Sequence, residues 1–267
     1  MKKILVLMLA LVMALSVCAF AACDKPVTLS GEYKYANPWD ATKFYGVKVD
    51  VTVKGDAIQS VVVTSTDTAE YTNLSASWED KAKWTDGQAA FLASFAGMTV
   101  AEVNAVEVAC AESGQPNTVT GMEYVTGATQ SSGRVILAVQ NALKFYGTKT
   151  VSGEYKYANA WVEGAFYGVK VDVTVENNVV TAVTVTSTDT AEYTNLSASW
   201  EDKAKWTDGQ ADFLASFAGK TVAEVMSIVV DCAENGQPNT VTGFTAVAGA
   251  TQSSGRVILA VQNALSK

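Results

Sequence analysis

The sequence predicts an α+β protein made of two tandem copies of one small domain. Each copy has a mainly antiparallel sheet with helices largely on one side, and a signal peptide precedes the pair. Three observations carry this prediction. Gly31 to Leu143 matches Gly153 to Leu265 at a constant offset without a gap, and Ser65 to Ala89 is identical to Ser187 to Ala211. Val47, Val49, Val51 and Val53 alternate with Lys48, Asp50 and Thr52, the period of a half-buried strand. Val135, Ile136, Ala138, Val139, Ala142 and Leu143 share one face at helical spacing near the end of the first copy. Each copy is long enough to own a core, so the repeat makes two domains and not a solenoid. The identical letters reflect ancestry.

The elements follow in order. Residues 1–22 read as a secretory signal: Lys2 and Lys3, an apolar run from Ile4 to Val17, then small residues. The end, Phe20-Ala21-Ala22-Cys23, resembles a bacterial lipobox, in which the cysteine takes lipid and becomes the first mature residue. The competing reading is ordinary cleavage after Ala21. The run is short for a bilayer span. Residues 23–30 are then a tether, at most roughly 25 Å when extended. The first repeat is 31–143, a linker covers 144–152, and the second repeat is 153–265.

Within a repeat, residues 31–35 form a first strand and 44–53 the alternating strand. Gly55-Asp56 turns the chain and residues 57–64 pair back as a hairpin, with Asn177-Asn178 making that turn in the second copy. Helices are expected over 75–84 and over 86–96, the latter ended by Gly97. Thr99-Val100-Ala101-Glu102 has capping-box spacing for a short helix. A strand over 105–111 and a loop with Pro116 and Gly121 complete the approach to the last helix.

Composition narrows the chemistry. The formal charge of −8 becomes −10 once the signal takes away Lys2 and Lys3, and only two arginines are present, which argues against a nucleic-acid partner. The chain has no histidine, so Ser-His-Asp and Cys-His catalysis and histidine-ligated metals are excluded. No catalytic residue and no metal ligand set is assigned. Cys110 and Cys232 hold the same place in the two repeats, so neither domain can close its own disulfide. A bond between domains stays open, beside the preferred reading of a small buried thiol on a strand. Any redox work must come from an organic cofactor.

The segment Gly127-Ala128-Thr129-Gln130-Ser131-Ser132-Gly133-Arg134 returns letter for letter from Gly249 to Arg256. Each copy is a small-residue turn entering an amphipathic helix, with Ser131 or Ser132 placed to cap it. Free N–H groups and little bulk make such a start a seat for phosphate. Arg134 and Arg256 fall in the first turn, where a cation opposes the helix dipole unless an anion is near. They are either solvated or in contact with that anion.

With these residues in view, the pattern resembles the FMN-binding domain of flavoprotein subunits of Rnf-type and sodium-pumping quinone oxidoreductases and of flavinylated extracellular electron-transfer lipoproteins. The resemblance covers nearly all of each repeat: the Gly-Tyr strand, the hairpin, the Gly-Met/Lys-Thr-Val helix start and, most specifically, Gly-Ala-Thr-x-Ser-Ser. It implies FMN, held by Thr126, Gly127, Ala128, Thr129, Ser131 and Ser132 in the first repeat and by Gly249, Ala250, Thr251, Ser253 and Ser254 in the second. It also implies a phosphoester to Thr129 and Thr251, made by a separate flavin transferase. Two departures stand out. The usual pattern is Asp-x-x-Ser/Thr-Gly-Ala-Thr, whereas this chain has Glu123 with Thr126, and Thr245 with Ala248.

Two aromatic sets could stack on the ring: Trp39, Tyr45, Tyr71, Trp78 and Trp84, and Trp161, Tyr167, Tyr193, Trp200 and Trp206. Most such side chains pack in cores, and no stacking residue is assigned. Asp67, Glu70, Glu79 and Asp80 match no calcium loop. The expected function is an extracytoplasmic electron carrier anchored to the membrane by lipid on Cys23, passing electrons from a membrane donor to an extracellular acceptor. The alternative is a flavin-free surface binding or adhesion module on the same scaffold. A substrate-specific reductase is a third, weaker reading, because no dinucleotide-binding glycine pattern is present.

Overall fold

The computed structural model describes residues 25–37, 40–65, 71–72, 81–158, 163–164, 166–187, 193–194 and 203–267. The signal peptide and Cys23, with Trp39, Trp78, Trp161, Trp200, Asp67, Glu70, Glu79 and Asp80, lie outside the described residues. The chain divides into two units between Lys144 and Phe145. Both are mixed α and β with antiparallel sheets, and six helices occur among the described residues.

In the first unit, β1 (Val27–Asn37), β2 (Asp40–Lys54) and β3 (Ala57–Val63) form an antiparallel sheet in that order. A short β4 (Tyr71–Thr72) runs parallel to β2, with Tyr71 opposite Phe44 and Thr72 opposite Tyr45. The alternation in β2 sends Val47, Val49, Val51 and Val53 to one fully buried face. Each contributes about 1.5–3 kcal/mol by leaving water. β1 begins at Val27, so the second half of the expected tether is strand. Leu29 pairs with Val51 and is buried, and a hydrophobic residue at that register belongs to the core.

Residues 81–93 form one helix, α1 (Lys81–Ala93), which runs through Thr85 where a break was expected; residues 75–80 of the first expected helix lie outside the described residues. The reason is packing. Trp84, Phe91 and Phe95 line one buried face, with edge-on ring contacts at 5.9 and 5.4 Å that a break at Thr85 would separate. Gly97, at φ +85°, then turns the chain, and its N–H donates to the Ile58 carbonyl at 2.8 Å. The short α2 (Val100–Asn104) carries the expected capping box: Thr99 accepts from the Glu102 N–H, and the Glu102 carboxylate accepts from the Thr99 N–H.

β5 (Glu107–Cys110) and β6 (Pro116–Thr120) form a separate two-stranded sheet. The segment read as a loop at Pro116 is therefore a strand. Proline opens it, where a missing N–H costs no ladder bond. Cys110 is exposed, not buried, because it ends β5 where the pairing shifts register. The Tyr33 hydroxyl, 3.6 Å from its sulfur, donates to the Gly114 carbonyl.

The last helix, α3 (Thr129–Leu143), packs on β1, β2 and β6. Asn141 Nδ2 donates to the Glu32 carbonyl at 2.8 Å, and Gln140 Nε2 donates to the Val103 and Val106 carbonyls. These bonds tie α3 to β1 and to the end of α2.

The second unit runs through β7 (Thr148–Ala158), β8 (Phe166–Glu176), β9 (Val179–Val185), β10 (Tyr193–Thr194), α4 (Lys203–Ala215), α5 (Val222–Met226), β11 (Val229–Cys232), β12 (Pro238–Thr242) and α6 (Thr251–Ser266). β7 opens inside the stretch read as a linker. Phe145 is buried in this unit's core, and the Phe145 and Gly147 carbonyls accept from Asn178 and Asn177. Those asparagines take φ of 64° and 51°, the left-handed pair that a two-residue hairpin turn requires. Phe244 lies 4.5 Å from Phe217, where the first unit has Met122. Cys232 is exposed like Cys110.

Candidate functional site

The turn before α3 is held from below. The Ala128 N–H donates to the Val125 carbonyl at 2.9 Å, Gly127 sits at φ +76°, and Ala128 is buried at the N-cap position. Alanine has no cap to offer, and no side chain caps this helix. The serines are inside the helix, which corrects their expected role. Ser132 Oγ accepts from the Val125 N–H at 3.2 Å and donates to the Ala128 carbonyl at 3.0 Å. Its hydroxyl closes the turn from within. Ser131 Oγ is buried and accepts from Arg134 Nη2 at 3.2 Å. Both hydroxyls face protein because position three and four of the helix lie on its packed side. α6 repeats this: Val247 donates to Ser254, Ser254 donates to the Ala250 carbonyl, and Arg256 donates to Ser253.

Thr129 is therefore the first helical residue, half-buried, with Gln130 exposed beside it. Thr251 opens α6 in the same way, after Gly249 at φ +74° and a buried Ala250. Thr126, Glu123, Thr245 and Ala248 are exposed on the approach.

Arg134 is not solvated. It is 1% exposed, its Nε donates to the Gln130 carbonyl, and its guanidinium carbon lies 6.0 Å from the centre of the Tyr45 ring. Arg256 and Tyr167 repeat the pair. A guanidinium can be buried this way because it is weakly hydrated and stacks on aromatic faces. Trp84 and Trp206 are core residues, 0% and 1% exposed, and cannot cover a ligand ring. Of Tyr71 and Tyr193, the structure describes the backbone only.

One residue escaped the sequence reading. Lys83 of α1 lies across Gly127: a β-carbon there would stand 2.6 Å from its Nζ. One helical turn further on, Gly87 lets α1 close on Val125, which a β-carbon would meet at 2.6 Å. Lys205 and Gly209 do the same at Gly249 and Val247. Splitting α1 at Thr85 had separated Lys83 from Gly87. The i, i+4 spacing on one continuous helix is the signal that could have joined them.

Residues 45–144 match the model of the FMN-binding domain family. No curated protein and no solved structure matches the chain. The residues present fit the phosphate end of this cofactor. The first turn of α3 has no acidic side chain and no side-chain cap, as a phosphate seat requires, and Lys83 brings a cation to Gly127 in the turn before it. That match runs from the middle of β2 through α3 and indicates FMN as the cofactor of this part of the chain.

Proposed function

We propose that the protein is a lipid-anchored extracytoplasmic electron carrier that holds FMN through the turn before α3 and, in the second unit, through the turn before α6. Cys23 carries the lipid. FMN supplies the chemistry, accepting and passing on electrons when bound. The protein holds the phosphate, keeps Thr129 against it and limits what reaches the ring. Its partners are a flavin transferase, a membrane redox donor and an extracellular acceptor.

The observation that carries the reading is the place of Thr129. It is the first residue of an uncapped fifteen-residue helix, two residues after a left-handed glycine. Its hydroxyl is at the helix mouth, where a phosphate is favoured and a phosphoester can form. Thr251 has the same setting. Ala248 and Thr245 replace the hydroxyl and acid of the usual acceptor pattern, so attachment is expected to be weaker at Thr251.

The test is an intact mass of the mature protein, produced with a flavin transferase and denatured in acid. A gain of flavin mass lost with Thr129→Ala supports the ester in the first unit, and Thr251→Ala reports on the second. Colour without a gain in mass keeps an FMN carrier without the bond. Neither mass nor colour after FMN is added would overturn the carrier and leave a surface binding module.

A further inference from the structure

We propose that Tyr45, Tyr35, Tyr33 and Cys110, with Tyr167, Tyr157, Tyr155 and Cys232 in the second unit, form a relay that carries one-electron oxidising equivalents from beside the last helix to a sacrificial surface thiol. The relay goes beyond the FMN reading and stands without it, because every member is a side chain of this protein. Its members stand in order. Tyr45 of β2 faces Tyr35 of β1 in the antiparallel register, with ring centres 5.6 Å apart. Tyr33 lies two residues along β1 from Tyr35, on the same face of the strand, at 6.4 Å. The Tyr33 hydroxyl is 3.6 Å from Cys110 Sγ. The second unit repeats these separations at 5.5, 6.5 and 3.7 Å. At the inner end Arg134 of α3 lies over Tyr45, and Arg256 of α6 over Tyr167. The outer end is exposed at Cys110 and Cys232. Between the two ends Tyr35 and Tyr157 are buried.

Phenol and thiol both carry an ionisable hydrogen, so each can lose an electron and a proton together. The oxidant is a small radical that is reduced to its anion as it takes one electron from a tyrosine of the file. That phenol releases its proton to water and becomes a phenoxyl. Electron exchange along the rings moves the vacancy to Tyr33, and each ring that the vacancy leaves regains its electron and its proton. Cys110 then gives its sulfur-bound hydrogen atom to the Tyr33 oxygen. The phenol is restored and a thiyl remains. A small thiol from solution returns a hydrogen atom to that exposed sulfur and becomes the oxidised species. Tyr33 is set to receive the hydrogen. Its hydroxyl donates to the Gly114 carbonyl, which leaves the oxygen to accept from the thiol. Burial, then Cys110, also raises this phenol above its ordinary value, so it keeps its proton until the electron leaves. Tyr155, Gly236 and Cys232 repeat the arrangement.

The experiment uses the full mature chain without flavin. Azidyl radicals made by pulse radiolysis oxidise its tyrosines, and phenoxyl absorbance and remaining free thiol are followed together. In the wild type the phenoxyl signal should decay as thiol is lost. In C110S/C232S that decay should be lost, and tyrosine cross-links should accumulate instead. In Y33F/Y155F the thiols should be spared, although iodoacetamide still labels them at the wild-type rate. Y35F/Y157F, which keeps the outer pair and cuts the file behind it, should leave a long-lived phenoxyl at the inner end. Thiol loss as large in Y33F/Y155F as in the wild type would overturn the relay, because the radical would then reach sulfur directly. Phenoxyl decay unchanged in C110S/C232S would overturn the thiol as its end. With no flavin present, either failure is separate from the FMN reading.

Discussion

Gly31 of β1 and Ala142 of α3 are in backbone contact. A β-carbon on Gly31 would stand 2.5 Å from the Ala142 nitrogen and closer still to the Ala138 carbonyl oxygen. Gly153 and Ala264 repeat the contact in the second unit, with the nitrogen at 2.6 Å. The last helix of each unit therefore lies on its first strand with no side chain between them. This sets the depth at which Thr129 and Thr251 emerge.

The contact predicts the effect of one methyl group. Gly31→Ala should lift α3 off β1 and cost about 3 kcal/mol, the upper end for overpacking. Thermal unfolding followed by circular dichroism checks this. A melting temperature within a degree of wild type would contradict the contact.

Ser132→Ala separates the two roles that the serine could have. It leaves the Val125 N–H without its acceptor, which should cost about 1–3 kcal/mol of stability. The ratio of FMN to riboflavin affinity should not change, because the hydroxyl is used within the turn. A fall in that ratio with stability intact would restore the serine as a phosphate ligand.

The capping box predicts an acid limb. Hydrogen bonds from the Thr99 backbone and side chain hold the Glu102 carboxyl below its ordinary value of 4.5, and the same holds at Glu224 with Thr221. A lowered folded value means that the stabilisation is full above pH 4.5 and is lost as pH falls through the folded value. Glu102→Gln with Glu224→Gln should flatten the dependence of the urea midpoint on pH below that point. Thr99→Ala should cost about 1 kcal/mol at neutral pH through loss of the cap.

The exposed thiols predict an alkaline limb and a reactivity. Burial, then the neighbouring Cys110, raises the Tyr33 phenol above its ordinary value of 10.0, and Cys232 does so for Tyr155. A raised folded value means that the stabilisation is full below pH 10 and declines as pH rises beyond it. Tyr33→Phe with Tyr155→Phe should weaken that decline, read from unfolding midpoints between pH 9 and 11. Cys110 and Cys232 should also react with a thiol reagent in the folded protein. Reaction only after denaturation would return them to the core.

Much of this architecture was legible in local patterns. The valine alternation of β2 needs only a period of two. The Thr99 cap needs only a hydroxyl three residues before a carboxylate. The Gly-Ala-Thr turn and the apolar face of α3 follow from glycine's freedom and helical spacing, and the turn's sequence was enough for the resemblance to the FMN-binding domain family. These features are short-range, so neighbouring residues determine them.

What tertiary structure decided lies between segments far apart in the chain. Ser131 and Ser132 read as phosphate ligands because hydroxyls near a helix start usually cap it. Packing of α3 turned both inward and spent them on Arg134, Val125 and Ala128. Arg134 read as solvated or phosphate-bound, and the sheet placed it against Tyr45. Lys83 carried no mark at all, since its meaning comes from Gly127, 44 residues later. A sequence pattern reports what a residue can do in its own element. Close packing decides which of those capacities is used up inside the fold and which is left for a ligand.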